Sequence, residues 1–286
     1  AEVQLCAACK TRTADTVAAS AALAIDVFGE NHVQELCANY DAGAYCGKPS
    51  HFIGHLQTNK IKKVLGRASL IQSVDSEHLL AAIEKEAAKA GIVQDVLLEV
   101  NIGGEESKSG VSPEQLWPLL DAAAAEEHIR VKGLMAIPPV NDDDAQNRRY
   151  LAQVYKLFVQ AGERGYQNVK METLSMGMSG DFENAIREGP PSCALARPST
   201  ENGIIRRSNL SVSLRSTAPL SRGASGEKVK LYGMPKLPSL GATTTTAASG
   251  GNRESLLGPR PAGCETRTKA EADAGSRNPG SGTPQA

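Results

Sequence analysis

Aromatic residues and long apolar runs are scarce in this sequence. Aromatic side chains make up 4% of the 286 residues, with a single tryptophan. Sequence-independent binding of single-stranded nucleic acid uses aromatic rings on which bases stack, so the composition disfavours that function. No run of about 18 apolar residues occurs, and the sequence therefore predicts no membrane-spanning helix.

Signals for export and for metal binding are also lacking. No secretory signal peptide is visible, which predicts a cytoplasmic protein. The chain starts at Ala1 without a methionine, so we expect the true N-terminus to be missing; a transit peptide there would direct the protein to mitochondria instead. The histidines other than His55 show no metal-ligand spacing, and no metal site is predicted. Cys6 and Cys9 would face opposite sides of a strand, which predicts two buried thiols rather than a redox pair.

Charge is unevenly distributed along the chain. Residues 190–286 contain 13 basic and 6 acidic side chains, whereas residues 1–189 contain 18 basic and 26 acidic ones. The last third is rich in Gly, Pro, Ser and Thr, and Tyr232 is its only aromatic residue. Such a segment has too little apolar surface to offset the entropy of ordering it. We predict one folded domain over 1–189 and a disordered tail over 190–286, whose scattered basic residues do not favour a nucleic-acid partner.

Two kinds of segment alternate within residues 1–189. Helix-like stretches separate seven short apolar runs, which read VQLCAAC, AIDVFGEN, HFIGHL, LIQSVD, DVLLEVNI, VKGLMAIP and METLSMGMS. This alternation indicates βαβ units with a parallel sheet that is covered on both faces. It predicts an α/β fold, either a (β/α)8 TIM-type barrel that lacks its eighth strand or a doubly wound open sheet. Polar residues at the strand ends favour the barrel, because barrels build their sites there.

Two of the helix-like stretches have recognisable ends. The helical spacing in DSEHLLAAIEKEAAKAG stops at Gly91, and glycine commonly terminates helices. The stretch SPEQLWPLLDAAAAEE begins with Ser112 and has Gln115 three residues later. This capping-box arrangement predicts a helix that starts directly after Ser112.

Lys10 and two further polar residues follow the first three strands. A lysine whose pKa is lowered by burial forms Schiff bases with aldehydes. A solvated charge at a strand end is the commoner situation, and Lys10 taken alone favours it. Asn31 and His55 are suited to contact a ring, but a turn asparagine and a loop histidine are the simpler interpretations.

Two loops are candidates for binding phosphate. The stretch NIGGEESKSG (101–110) would do so through Lys108 and backbone amides, unless it only leads into the next helix. The loop LSMGMSGD (174–181) precedes a helix, whose first backbone N–H groups favour an anion. Its candidate residues are Ser175, Met176 and Ser179.

Six stretches within residues 3–189 share the order and spacing of one known family. They are CKTRTADTV, FGENHVQEL, HFIGHLQTNK, NIGGEESKSG, VKGLMAIP and LSMGMSGDFENAI. Together they resemble the pyridoxal phosphate homeostasis proteins, also called the YggS-like or proline synthetase co-transcribed family. The resemblance implies a single barrel of the alanine racemase N-terminal type, without the second domain of the racemase.

The resemblance also implies a cofactor and a function. Lys10 would carry pyridoxal 5′-phosphate (PLP) as a Schiff base, Asn31 would lie beside the cofactor ring, and Ser175 with its neighbours would help to hold the phosphate. Family members buffer the cofactor within vitamin B6 homeostasis and deliver it, with PLP-dependent apo-enzymes as recipients, and they have no established catalysis. The alternative is an amino-acid racemase or decarboxylase that uses PLP in the same kind of barrel.

The sequence departs from the family pattern in several places. Cys9 precedes the lysine where serine is usual, His32 replaces a common tyrosine, and His55, which we keep as a cofactor-binding candidate, stands where proline is frequent. The helix that usually precedes the first strand is lacking. After Glu188 and Gly189 the family continues with its eighth strand, the main phosphate cradle, whereas this chain reads PPSCALARPSTENG.

A shift of reading frame would account for that last difference. Legitimate codons for residues 188–203, read from the last base of the Glu188 codon, translate as Gly-Ser-Thr-Phe-Val-Arg-Ile-Gly-Thr-Ala-Ile-Tyr-Gly-Glu-Arg, which matches the eighth strand of the family. The loss of one guanine after Glu188 would explain the charge difference, the loss of aromatic residues and the low complexity together. A natural disordered extension or an alternative exon is the competing explanation.

The loss of an eighth strand has a predicted consequence. The first and seventh strands would keep unpaired edges, and the tail offers only the weakly alternating stretch NGIIRRSNLSVSLRS (202–216) to fill the gap. A bound phosphate would lose backbone amides and an arginine. We therefore expect this chain to be unstable or to bind PLP weakly.

Overall fold

A computed structural model describes residues 2–140, 143–189, 200–201, 204–205 and 213–215 of the chain. The described strands are β1 (Glu2–Gln4), β2 (Cys6–Ala8), β3 (Val27–Glu30), β4 (Ser50–Phe52), β5 (Leu70–Val74), β6 (Gln94–Val100), β7 (Ile129–Ala136), β8 (Val169–Ser175), β9 (Thr200–Glu201), β10 (Ile204–Ile205) and β11 (Ser213–Arg215). The described α-helices are α1 (Ala14–Ser20), α2 (Val33–Asp41), α3 (Ile61–Val64), α4 (Glu77–Ala90), α5 (Leu116–Ala124), α6 (Asp144–Glu163) and α7 (Phe182–Glu188), with a 3₁₀ helix over Thr58–Lys60.

Seven parallel strands form one curved sheet. Strands β2 to β8 pair in the order of the chain, and one α-helix follows each of them. A doubly wound sheet would instead reverse its strand order at a switch point. The sequential order therefore confirms the barrel prediction and rules out the open-sheet alternative.

The two faces of this sheet bury different side chains. Phe28 and Leu98 belong to the largest apolar cluster, which the helices cover. Their neighbours Val27 and Leu97 belong instead to two small separate clusters, Val27 with Cys6 and Leu97 with Leu70 and Met135. Because adjacent residues of a strand face opposite sides, the small clusters lie on the interior face of the barrel.

A short antiparallel strand lies between the last parallel strand, β8, and the N-terminal strand β1. Strand β11 pairs with β8, where Leu214 is opposite Leu174, and with β1, where Leu214 is opposite Val3. These pairs fill part of the edges that were predicted to stay open, and β11 lies within the stretch 202–216 that was expected to fill the gap poorly. Most of the predicted tail over 190–286 lies outside the described residues, so the domain boundary near 189 stays a prediction.

The helix ends agree with the sequence in one case and differ in the other. Helix α4 ends before Gly91, whose φ is +64°, as predicted. Ser112 and Gln115 exchange the two capping-box hydrogen bonds, both at 3.2 Å, yet α5 begins only at Leu116. Pro118 explains the delay: it has no N–H to donate, so it fits the first turn of a helix but not its interior.

The two thiols near the N-terminus are buried as predicted. Cys6 and Cys9 are both free, with 0% and 4% of their surface exposed. Burial raises the pKa of each thiol, so both stay protonated and unreactive at neutral pH. Among the described residues, no helix is long and apolar enough to cross a membrane.

Candidate functional site

All six predicted site residues lie at the carboxyl ends of parallel strands. They are Lys10 after β2, Asn31 after β3, His55 after β4, and Ser175, Met176 and Ser179 at the end of β8 and beyond it. Parallel strands of a barrel end at the same rim. The fold therefore gathers these residues at the rim where barrels build their sites.

Lys10 occupies a tight turn at the end of the first parallel strand. The Cys9 N–H donates to the Gly29 carbonyl at 2.8 Å, so the pairing with β3 continues up to Cys9. The Arg12 N–H donates to the Cys9 carbonyl at 3.0 Å and closes the turn. Lys10 is half-buried, and strand alternation puts it on the same face as Cys6, toward the interior of the barrel. A fully solvated charge does not describe this environment.

A cavity of about 240 Å³ opens at the same rim. Two of the predicted residues, Asn31 and His55, line it, whereas the other four are not among its lining residues. The remaining lining residues are Ile53, Gly54, Glu99, Lys108, Ser109 and Ile137. The structure thus divides the predicted set between this cavity and the neighbouring ends of β2 and β8.

Asn31 presents an unsatisfied hydrogen-bond acceptor at this cavity. Its Oδ1 atom is buried and has no hydrogen-bond partner among the described residues. A Cβ atom on Gly54 would lie 2.1 Å from the Asn31 carbonyl oxygen, so only glycine lets the two strand ends approach this closely. An orphaned buried acceptor of this kind is stabilised when a ligand donates to it.

His55 is oriented by a carboxylate from the neighbouring strand end. Its Nδ1 atom lies 3.3 Å from Oδ2 of Asp75, which directly follows β5. The His55 side chain is 61% exposed. It is a partnered histidine at the mouth of the cavity, with its other ring nitrogen available to a ligand or to water.

Glu99 is the site residue that sequence reasoning missed. It lies on β6, is 6% exposed and lines the cavity. Burial raises its pKa to about 7, with a further contribution from the negative charge of Asp75. Glu99 stands inside the apolar run DVLLEVNI, and this isolated carboxylate is the one signal that would have revealed it.

We predict that Glu99→Gln stabilises the protein in alkaline but not in acidic solution. The folded state holds a proton on Glu99 between pH 4.5 and about 7 that the unfolded state releases, so the wild type loses stability as the pH rises through this window. The free energy of unfolding of the variant should be about 3 kcal/mol higher than that of the wild type at pH 8, with little difference at pH 4.5. Urea titrations at both values measure this, with the exposed Glu106→Gln as control. Equal effects at the two values would contradict the assignment.

A buried polar chain crosses the interior of the barrel beneath the rim. The Ser175 hydroxyl donates to Oε1 of Gln72 at 2.7 Å, and Nε2 of Gln72 lies 2.8 Å from Nδ1 of His51. All three residues are buried. A phosphate dianion offers only acceptors, so the Ser175 hydroxyl would have to rotate away from Gln72 to donate to it.

The loop between β8 and α7 already contains a carboxylate at its turn. The Met178 N–H donates to Oδ1 of Asp181 at 2.5 Å, and Oδ2 of Asp181 accepts from Asn147 at 3.0 Å. Met176 is 1% exposed, so its side chain packs inward and only its backbone faces the loop. Asp181 thus occupies an amide of the loop that was predicted to bind phosphate.

Lys108 is held at the rim rather than extended toward solvent. Its Nζ atom forms an ion pair with Glu105 at 2.5 Å and donates to the Pro138 carbonyl at 3.2 Å. Lys108 lines the cavity, whereas the loop around it is closed by hydrogen bonds from Asn101. The stretch 101–110 is therefore both a capped loop and part of the cavity wall.

Known proteins are similar to this chain in sequence and in architecture. The profile of the family described as "Alanine racemase, N-terminal domain" matches residues 1–198. The chain is 46% identical over 165 residues to the pyridoxal phosphate homeostasis protein of Aquifex aeolicus, covering 58% of this chain and 72% of that protein. It is 34% identical over 189 residues to the Pseudomonas aeruginosa protein of the same name, covering 66% of this chain and 80% of that protein.

Solved structures of related proteins have a similar fold. PipY of Synechococcus elongatus, solved with PLP bound, superposes with a TM-score of 0.59 at 28% identity, over 65% of this chain and 86% of PipY. An alanine racemase of Clostridium difficile, solved in complex with cycloserine, superposes with a TM-score of 0.51 at 15% identity over 63% of this chain and 50% of the racemase, which shows a shared fold. The profile and the curated relatives cover most of the parallel barrel. The chain therefore belongs to the pyridoxal phosphate homeostasis protein family, which is built on the alanine racemase N-terminal domain.

Proposed function

We propose that this protein binds PLP covalently through Lys10 and buffers or delivers it in vitamin B6 homeostasis. The observation that carries the proposal is the position of Lys10, a half-buried amine at the end of the first strand of a barrel, at the same rim as the unsatisfied Asn31 acceptor. The names of the curated relatives and the PLP bound to PipY support it.

Different residues at the rim would bind different parts of PLP. When bound, PLP supplies an aldehyde that condenses with a primary amine, together with a phosphate dianion. Lys10 provides the amine. Asn31 provides a buried amide oxygen that a donor on the ring would satisfy, and His55 contributes the ring nitrogen that faces away from Asp75. Ser175, Met176 and Ser179 would contribute backbone amides to the phosphate, with the Ser175 hydroxyl available only after it leaves Gln72.

We further propose that the protein is a carrier rather than an enzyme. Racemisation needs a second base on the opposite side of the substrate, which related enzymes take from a second domain. The described residues form the barrel, with Lys10 at its first strand end, and the curated relatives are named homeostasis proteins, which supports a carrier role. Its partners would then be PLP itself and PLP-dependent apo-enzymes, and the predicted cytoplasmic location agrees with that role.

Titration of the cofactor-free protein with PLP tests the proposal. We expect a new absorption band near the edge of the visible, weak binding that saturates only with excess PLP, and one PLP added per chain after borohydride reduction. Peptide mass spectrometry should place the addition on Lys10. An adduct confined to other lysines, or racemisation of L-alanine by the loaded protein, would overturn the proposal.

A further inference from the structure

Thr11, which follows Lys10, has a backbone conformation that is unfavourable for its residue type. Its φ is +62°, and Thr11 is one of only two non-glycine residues with positive φ in the described part of the chain. A β-branched residue rarely adopts this left-handed region, which glycine occupies without strain. The turn closed between Cys9 and Arg12 requires it, so something must hold Thr11 in place.

Glu35 on helix α2 supplies that restraint. Its Oε1 atom accepts the Thr11 N–H at 2.9 Å, across 24 residues of sequence. Its Oε2 atom is buried and has no hydrogen-bond partner among the described residues, so the hydrogen bond of this carboxylate is directed to the backbone of the Lys10 turn. A hydrogen bond to a charged acceptor is stronger than one between neutral groups.

Helix α2 lies next to two of the proposed site residues: it follows Asn31 in the chain, and its Glu35 contacts the turn that contains Lys10. Helix α2 begins at Val33, two residues after Asn31, and Glu35 lies in its first turn. Glu77 is likewise an acidic residue in the first turn of its helix, α4, but it is exposed. An acidic residue in the first turn of a helix therefore does not by itself indicate a role at the site. Glu35 differs from Glu77 because it accepts a hydrogen bond from Thr11.

We propose that Glu35 is a positioning residue for Lys10. Its carboxylate fixes the left-handed turn at Thr11 and thereby keeps the Lys10 amine on the interior side of the rim. This inference rests on the proposed function, because it assigns Glu35 a role in cofactor binding through Lys10. It requires no contact between Glu35 and the cofactor.

Two kinds of substitution separate positioning from simple stabilisation. Glu35→Ala removes the acceptor, whereas Glu35→Gln keeps an oxygen at the same place. In the Glu35→Ala background, Thr11→Gly relieves the strain that the carboxylate had to hold. Glu77→Ala is the matched control, since it removes a first-turn carboxylate that has no contact with the turn.

We expect Glu35→Ala to lose PLP affinity and the double variant to regain it. Glu35→Ala should weaken covalent PLP binding about tenfold, Glu35→Gln by at most about threefold, and the double variant with Thr11→Gly should recover most of the loss. In the cofactor-free protein, the Thr11 amide should exchange with solvent at least tenfold faster in Glu35→Ala. The Leu36 amide, which donates to the His32 carbonyl at 3.0 Å, should keep its exchange rate.

Three results would overturn the inference. They are unchanged PLP binding in Glu35→Ala, no recovery with Thr11→Gly, and equal acceleration of exchange at Thr11 and Leu36, which would indicate general destabilisation. If the wild type itself forms no adduct on Lys10, the proposed function fails instead, and the exchange data then report only on the turn.

Discussion

Lys10→Arg should abolish the covalent adduct with PLP. Arginine keeps the positive charge and much of the length of lysine, but its guanidinium stays protonated and does not act as a nucleophile. The absorption band near the visible edge should disappear, and borohydride reduction should leave no added mass on the peptide that contains residue 10. Residual non-covalent binding should be weaker by on the order of a hundredfold.

A second lysine on a barrel strand serves as the control for this result. Lys132 lies on β7, is half-buried and pairs with Glu172 at 2.8 Å. Lys132→Arg preserves that ion pair and should retain the band and the adduct at wild-type levels. Equal losses in the two variants would indicate a general effect of lysine replacement, and an intact adduct in Lys10→Arg would remove Lys10 from the proposal.

A chain that carries the alternative-frame strand after Glu188 should be more stable and should bind PLP more tightly. The restored peptide, Gly-Ser-Thr-Phe-Val-Arg-Ile-Gly-Thr-Ala-Ile-Tyr-Gly, supplies a full apolar strand where the present chain places only Ser213–Arg215. Burial of its aromatic and β-branched side chains should raise the free energy of unfolding by about 5 kcal/mol. Its backbone amides and arginine would bind the phosphate, so PLP affinity should rise on the order of a hundredfold.

Urea denaturation and PLP titration of the two chains measure these differences. The matched control carries the same restored residues in shuffled order, so that composition and length are equal while the strand pattern is lost. If the restored and shuffled chains behave alike, the eighth strand is not what this chain lacks. Sequencing of the gene around codon 188 is an independent test, because a natural extension would not encode the strand in the other frame.

Local patterns in the sequence predicted the framework of this fold. Apolar runs located the parallel strands, because each strand is covered on both faces, and Gly91 located the end of α4 because its backbone is left-handed. Helix α5 starts later than Ser112 indicated, since the missing N–H of Pro118 outweighs the capping box. Lys10 could be predicted as a site residue only from its companion motifs, since a single lysine at a strand end does not by itself indicate chemistry.

The features of the candidate site that could not be predicted depend on contacts between residues far apart in the sequence. The bond from Thr11 to Glu35 and the chain from Ser175 through Gln72 to His51 join segments that only the closed fold brings together. The raised pKa of Glu99 arises from burial and from Asp75, neither of which a sequence pattern encodes. Strand β11 lies within the stretch 202–216 that the sequence offered for this gap, but its register against β1 could not be predicted, because three residues of weak alternation specify no particular register.

The pairings of β11 with β1 and β8 link PLP binding to the closure of the barrel. Three residue pairs join β11 to β1 and two join it to β8, and both pairings are antiparallel, whereas β2 to β8 pair in parallel. The described barrel wall can therefore open along β11 without disturbing any parallel ladder. Lys10 follows the N-terminal strands on one side of β11, and Ser175 ends β8 on the other side. A ligand bound to both residues would hold the two sides of the barrel together, so ligand binding and closure of the barrel would stabilise each other.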